Sequence, residues 1–185
     1  MKVILFDFFG VLWTPVYSPV INERLPEGER ANWIAKLNDL DIGNIPNEEF
    51  ERTLKEAGGM SDEDMRIAVM ETPVPNLELF DYIATNLAGS HAIGILSNAS
   101  RPLIDRIASE RLSAFDPILI SSDLKMLKPN RDIFEEAARR CGVAPEEILF
   151  IDDGEKNVVG AKAAGMNAFL YTDFASFKRT MARYA

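Results

Sequence analysis

Ile148-Leu149-Phe150-Ile151-Asp152-Asp153-Gly154 sets four apolar residues, two of them β-branched, against a pair of acids and a glycine. A run this short and apolar at every position has the pattern of a strand buried on both faces, as in a parallel sheet. Val3-Ile4-Leu5-Phe6 before Asp7 repeats it, as do Ala92-Ile93-Gly94-Ile95-Leu96 before Ser97 and Ala168-Phe169-Leu170-Tyr171. Pro117-Ile118-Leu119-Ile120 is a weaker fifth run. Helical patterns lie between these runs, over residues 103–112, 131–141 and 156–164, with Gly142 and Gly165 where helix-ending glycines belong. Such alternation predicts an α/β fold built on a doubly wound parallel sheet.

Residues 14–85 read differently. Prolines stand at 15, 19, 26, 46, 73 and 75, the apolar spacing is helical, and no strand pattern appears. Residues 47–54 and 62–70 are two helices of this stretch, with Ser61 as N-cap of the second. The expected organisation is a core over residues 1–13 and 86–185, interrupted by a small all-helical cap over residues 14–85. Thr14-Pro15 and Pro73-x-Pro75 mark the connections between them. A basic amphipathic helix over residues 174–184 is expected to pack against the fold.

Composition narrows the function. The chain of 185 residues carries 20 Lys and Arg against 29 Asp and Glu, a formal net charge of -9. That acidity disfavours nucleic acid and anionic membrane surfaces as partners. No apolar run approaches the roughly 18 residues of a membrane span, and no small-residue cleavage site follows the N-terminal apolar run. A single cysteine excludes an intrachain disulfide. The expectation is a soluble, cytoplasmic protein.

Ligands of open α/β sheets bind beyond the carboxyl ends of the strands. Asp7, Ser97, Asn98, Lys128, Asp152 and Asp153 all lie just past a strand run, with Asn157 close behind. Each alone has an ordinary structural reading, as a turn residue, a cap or a solvated lysine. Together, three clustered carboxylates repel one another and call for a cation, and hard oxygen donors indicate Mg²⁺. His91 is the one histidine and Cys141 the one cysteine, which argues against a zinc site or a Cys/His or Ser/His catalytic pair.

Four pieces, Phe6-Asp7-Phe8-Phe9-Gly10-Val11-Leu12, Leu96-Ser97-Asn98, Lys128-Pro129 and Asp152-Asp153-x-x-x-Asn157-x-x-Gly160-Ala161, occur in the order of the haloacid dehalogenase-like hydrolase motifs. The chain resembles that superfamily over essentially all of its length outside the insertion. The resemblance implies a Rossmann-like core with a helical cap between the first and second motifs. It implies Asp7 as the nucleophile that forms an aspartyl-phosphate, and Mg²⁺ held by Asp7, the Phe9 backbone carbonyl, and Asp152 or Asp153. Ser97 and the Asn98 amide would bind phosphate oxygens, Lys128 would neutralise the reacting groups, and Asn157 would support the site from behind. The substrate would be a small phosphorylated molecule.

One position departs from the pattern. Phosphatases of this superfamily usually carry a second aspartate two residues after the nucleophile, as general acid and base, and here that residue is Phe9. Loss of such a group costs about 10²–10⁴ in rate. Three readings follow. The preferred one is a Mg²⁺-dependent phosphatase, slowed by the loss, in which a water, a cap residue or a good leaving group replaces the acid. The second is a catalytically silent binder of a phosphorylated ligand or protein. The third is a carbon–halogen hydrolase, which has an aromatic residue at that position and needs no acid. Arg24, Arg30 and Arg52 are the cap arginines available to it. Trp13, Tyr17 and Trp33 are expected to pack the cap rather than face a substrate. A homodimer is left open.

Overall fold

β1 (Val3–Phe6) is buried along its whole length because it feeds both faces of the sheet. Ile4 and Phe6 join one core cluster and Val3 and Leu5 the other, as the two-residue period of a strand requires. β2 (Ala92–Ser97), β3 (Ile118–Ile120), β4 (Ile148–Asp152) and β5 (Asn167–Leu170) align with it in parallel, in the order β3-β2-β1-β4-β5. The computed structural model describes residues 1–182, and the fold is the expected Rossmann-like α/β sheet. β1 lies at its centre, with Phe6 level with Ile95 of β2 and Ile151 of β4. The strand order reverses there, so a crevice opens at the carboxyl end of β1.

In chain order the helices are α1 (Tyr17–Arg24), α2 (Glu27–Asp41), α3 (Asn47–Ala57), α4 (Asp62–Met70), α5 (Leu77–Tyr82), α6 (Arg101–Ala108), α7 (Ser121–Leu124), α8 (Arg131–Cys141), α9 (Glu155–Ala163) and α10 (Phe174–Met181). Ile104 of α6 and Phe177 of α10 cover one face of the sheet, and Phe134 of α8 and Ala161 of α9 cover the other. The expected helix over residues 103–112 starts at Arg101, where Ser100 Oγ accepts from Leu103 N at 3.3 Å, and gives way to a 3₁₀ turn over Ser109–Ala114. The expected extension of the last helix to Tyr184 lies outside the described residues. Among the described residues no helix is long and apolar enough to cross a membrane.

α1 to α4 close on one another around Tyr17, Trp33, Phe50, Leu54 and Met65, with Leu103 of α6 completing the cluster. The Phe50 ring meets Tyr17 edge-on at 4.9 Å and Trp33 at 5.9 Å, so both aromatics pack the helical layer. Ser61 caps α4 through a reciprocal pair with Asp64, at 3.1 and 2.9 Å. Leu79 of α5, with Ile83 and Leu87 after it, packs instead on the sheet beside Ile4 and Phe6. Thr14 and Val74 exchange two hydrogen bonds, Thr14 N to Val74 O at 3.0 Å and Val74 N to Thr14 Oγ1 at 2.9 Å, and so join the two connecting segments.

Gly160 on α9 faces the loop after α7 rather than the sheet. A Cβ there would stand 2.6 Å from Pro129 O and 3.1 Å from Phe134 Cε2. The contact seats the segment that carries Lys128. Gly160→Ala is therefore expected to lower stability by about 1–3 kcal/mol through overpacking, read as a lower midpoint in urea. An unchanged midpoint would remove this contact from the account of how Lys128 is placed.

Candidate active site

Asp7 follows β1 directly, and its N–H donates to Ile151 O at 2.8 Å, so the ladder with β4 continues one residue past the strand. Its Oδ1 accepts from Phe8 N at 2.7 Å and lies 2.9 Å from Lys128 Nζ. Lys128 Nζ also reaches Asp152 Oδ2 at 2.6 Å, and its side chain is wholly buried. Asp152, at the end of β4, accepts from Gly154 N at 2.7 Å and from Asn157 Nδ2 at 3.0 and 3.1 Å. Five of the residues singled out in the sequence are thus joined: Asp7, Lys128, Asp152 and Asn157 directly, and Asn98 through the Lys128 main chain. Asn98 Oδ1 accepts from Lys128 N at 2.8 Å while its Nδ2 donates to Lys128 O at 2.9 Å. That clamp role of the amide side chain was not visible in the sequence, where only the Asn98 backbone N–H had a task.

Ser97 ends β2, fully buried. Its Oγ lies near Asp7 but makes no hydrogen bond among the described residues. A buried hydroxyl left without a partner costs about 1–3 kcal/mol, and an incoming ligand oxygen would relieve that. Phe9 is half-buried, its ring edge-on to Phe8 at 4.9 Å, and it touches both the sheet cluster and the helical layer.

The charges are far from their aqueous balance. Burial pushes the Asp7 carboxyl up to about 8, against the pull of the Lys128 ammonium, and the Asp152 charge adds to the rise. Burial acts against Asp152 as well, but Lys128 and the hydrogen bonds from Asn157 and Gly154 hold it below the ordinary carboxylate range. Lys128 is disfavoured by burial yet held above the usual lysine value by Asp7 and Asp152. Asp153 is raised, first by burial and then by its neighbour Asp152.

One carboxylate oxygen each from Asp7, Asp152 and Asp153 lies within 4.8 Å of the others. Lys128 offsets one negative charge of the three, so the set retains an excess that suits a divalent cation, and all-oxygen donors suit Mg²⁺. Both Asp152 oxygens already accept protein hydrogen bonds, while no salt bridge among the described residues engages Asp153. Gly10, at φ +86°, makes room for that carboxylate, because a Cβ at Gly10 would collide with the Asp153 side chain.

Between the helical layer and the core lies a cavity of about 120 Å³ that shares Phe9 and Asn98 with the site. Phe9, Val16, Leu37, Asp41, Asn98 and Leu103 line it. Asp41 had no signal in the sequence: it is one acid among several on a polar helix.

The haloacid dehalogenase-like hydrolase profile matches residues 1–165, and the chain belongs to that family. Over 154 residues it is 29% identical to the phosphoglycolate phosphatase of Escherichia coli K12, a match that takes in 80% of this chain and 50% of that one. The chain thus spans about half the length of that relative. A predicted HAD-like hydrolase from Porphyromonas gingivalis superposes with a TM-score of 0.75 at 26% identity, covering 100% of this chain and 97% of the other. A HAD family enzyme of Bacteroides thetaiotaomicron, solved with magnesium and inorganic phosphate, shares the fold at TM-score 0.72 and 22% identity, over 96% and 98% of the two chains.

A cation that binds only the folded chain stabilises it by mass action. Mg²⁺ at about a hundred times its dissociation constant is worth about 2.7 kcal/mol, which for a chain of this size raises the melting temperature by about 5–10 °C. Asp153→Asn is expected to lose most of that shift without a comparable change in the metal-free melt. A wild-type melt indifferent to Mg²⁺ would sink the assignment of these carboxylates to a metal.

Proposed function

We propose that the protein is a Mg²⁺-dependent phosphatase acting on a small phosphate monoester in the cytoplasm. The observation that carries the reading is the Lys128 ammonium held between Asp7 at 2.9 Å and Asp152 at 2.6 Å, with Asp153 beside them. Asp7 attacks phosphorus and becomes an aspartyl-phosphate, which water then hydrolyses. Lys128 opposes the rise that burial imposes on the Asp7 carboxyl and so favours its ionised, nucleophilic form, and it faces the charge on the transferring group. Asn98 holds Lys128 in place by its side chain, which leaves its backbone N–H for a phosphate oxygen beside Ser97 Oγ. Asp7, Asp153 and the Phe9 carbonyl would hold Mg²⁺ directly, with Asp152 joining through water or its own oxygen. The ion, when bound, supplies Lewis-acid stabilisation of phosphoryl charge. The phosphatase relative and the magnesium–phosphate complex of the structural neighbour support this reading by similarity. Every residue invoked comes from one chain.

The dehalogenase reading finds less support. It needs a cationic residue to take halide and carboxylate; Arg24, Arg30 and Arg52 are engaged or turned elsewhere, as is Arg66, paired with Glu63 and Glu71 at 2.7 Å. Arg52 pairs with Glu56 at 3.1 Å, Arg30 Nε donates to Leu25 O at 3.2 Å, and Arg24 lines an outer groove of the helical layer. The cavity beside Phe9 is lined by the acid Asp41 and, among the described residues, by no lysine or arginine that could take a haloacid's carboxylate.

Phosphate release from an aryl phosphate is expected in Mg²⁺, lost in EDTA, and reduced to background by Asp7→Asn, measured by a colorimetric phosphate assay. Halide release from a 2-haloacid that persists in EDTA would sink the phosphatase reading. Mg²⁺ and phosphate binding with no turnover of either class would favour the silent binder.

A further inference from the structure

Position 9 lacks the acid that a phosphate ester with a poor leaving group needs, and the replacement must reach the same side of the reacting phosphorus. The cavity wall formed by Phe9 and Asn98 marks that side, because Asn98 follows the strand end that faces phosphate and Phe9 occupies the position of the missing group. One acidic side chain lines the cavity with them, Asp41 at the last turn of α2.

We propose that Asp41, carried by the helical layer, is the general acid and base of the reaction in place of the aspartate missing at position 9. The proposal rests on the phosphatase reading above. Four observations bear on it. The Asp41 carboxyl makes no hydrogen bond or salt bridge among the described residues, so a proton on it is free to be donated to a bound ligand. Its main chain is held down on the core: Asp41 O accepts from Ser121 Oγ, and Lys125 Nζ donates to Ile42 O at 3.0 Å and Gly43 O at 2.8 Å. Phe9, Val16, Leu37 and Leu103 give the cavity largely apolar walls, which disfavour an ionised carboxyl. Burial accordingly pushes Asp41 up to about 7, with the Lys128 charge opposing the rise, so the Lys128 field that organises Asp7 also reaches Asp41.

The chemistry balances without further reagents. An Asp7 carboxylate oxygen forms the bond to phosphorus while the bond from phosphorus to the ester oxygen breaks. That oxygen keeps the electron pair and takes the proton of Asp41, and the alcohol leaves. Asp41, now a carboxylate, takes a proton from the water that attacks the aspartyl-phosphate. The Asp7–phosphorus bond breaks, inorganic phosphate departs, and Asp41 is again protonated for the next cycle.

The test compares two esters with wild type and Asp41→Asn in saturating Mg²⁺. Dinitrophenyl phosphate has a leaving group that needs no proton; a simple alkyl phosphate has one that does. Asp41→Asn is expected to lower kcat on the alkyl ester by about 10²–10³ and on the dinitrophenyl ester by less than about tenfold. The double variant Phe9→Asp/Asp41→Asn is expected to recover a tenfold or greater part of the alkyl ester rate. Equal losses on the two esters, or no loss on the alkyl ester, would overturn the assignment while leaving the phosphatase reading intact. A wild type inactive on both esters would instead overturn the phosphatase reading and this role with it. Thermal melts of the variants check folding, and should Asp41→Asn fail to fold, Asp41→Ser is read by the same two-ester ratio.

Discussion

A lysine ammonium buried between two carboxylates is the constraint on which the rest of the molecule turns. Removing such groups from water costs several kcal/mol per ion, and mutual attraction offsets this only when the geometry is good and the remaining atoms are hydrogen-bonded. The chain meets both conditions around Lys128. Asp7 and Asp152 approach from the two adjacent central strands β1 and β4, whose register is set by the paired buried runs Val3–Phe6 and Ile148–Ile151. Asn157 and Gly154 saturate Asp152, and Asn98 grips the lysine main chain on both its donor and acceptor. A sheet slipped by one residue would put Asp7 and Asp152 on different levels and strand the ammonium. The parallel fold and the charge cluster therefore specify each other.

The same cluster leaves a negative excess once Asp153 is counted, and this reverses the first impression of the composition. A chain of net charge -9 looks unsuited to anions. Locally, though, the near field of a phosphate would be set by an ammonium, backbone N–H groups and a bound cation rather than by distant surface acids, which salt screens within about 10 Å.

How much of this could be read from the residues follows from where the information lies. The five strands, and the acids that end β1 and β4, were legible because a buried parallel strand needs an unbroken apolar run, and the polar residue that ends it stands out. The bounds moved by a residue or so: β5 is Asn167–Leu170 rather than 168–171, and Tyr171 N still bonds Asp152 O at 2.9 Å. α3 and α4 were legible by spacing and by the Ser61 cap. α2 was not delimited, since of its fifteen residues only Trp33 and Leu40 are fully buried and the other apolar positions form no continuous stripe. Its orientation comes from docking, through Ser121, Lys125 and the chain Ser100–Asn47–Tyr17–Glu51–Arg106 that ties the helical layer to the core. No local pattern announces such contacts, which join residues up to 83 positions apart. Asp41 could not have been singled out for the same reason.

Phe9 then has more than a negative role. An aspartate at that position would have been a charged wall in a cavity of about 120 Å³, facing Asp41, and two carboxylates so placed would divide one proton between them. Phenylalanine removes the competitor and, with Val16, Leu37 and Leu103, lowers the polarity around the acid that remains. The substitution that takes a proton donor from the core loop thereby favours the protonated form of a carboxyl from the helical layer, which burial already pushes up to about 7. That arrangement holds only while α2 is docked, because Asp41 reaches the cavity solely through contacts between layer and core. A proton donor carried on the helical layer would link recognition of the leaving group to its departure: a substrate that failed to let the layer seat would lose its acid as well as its fit.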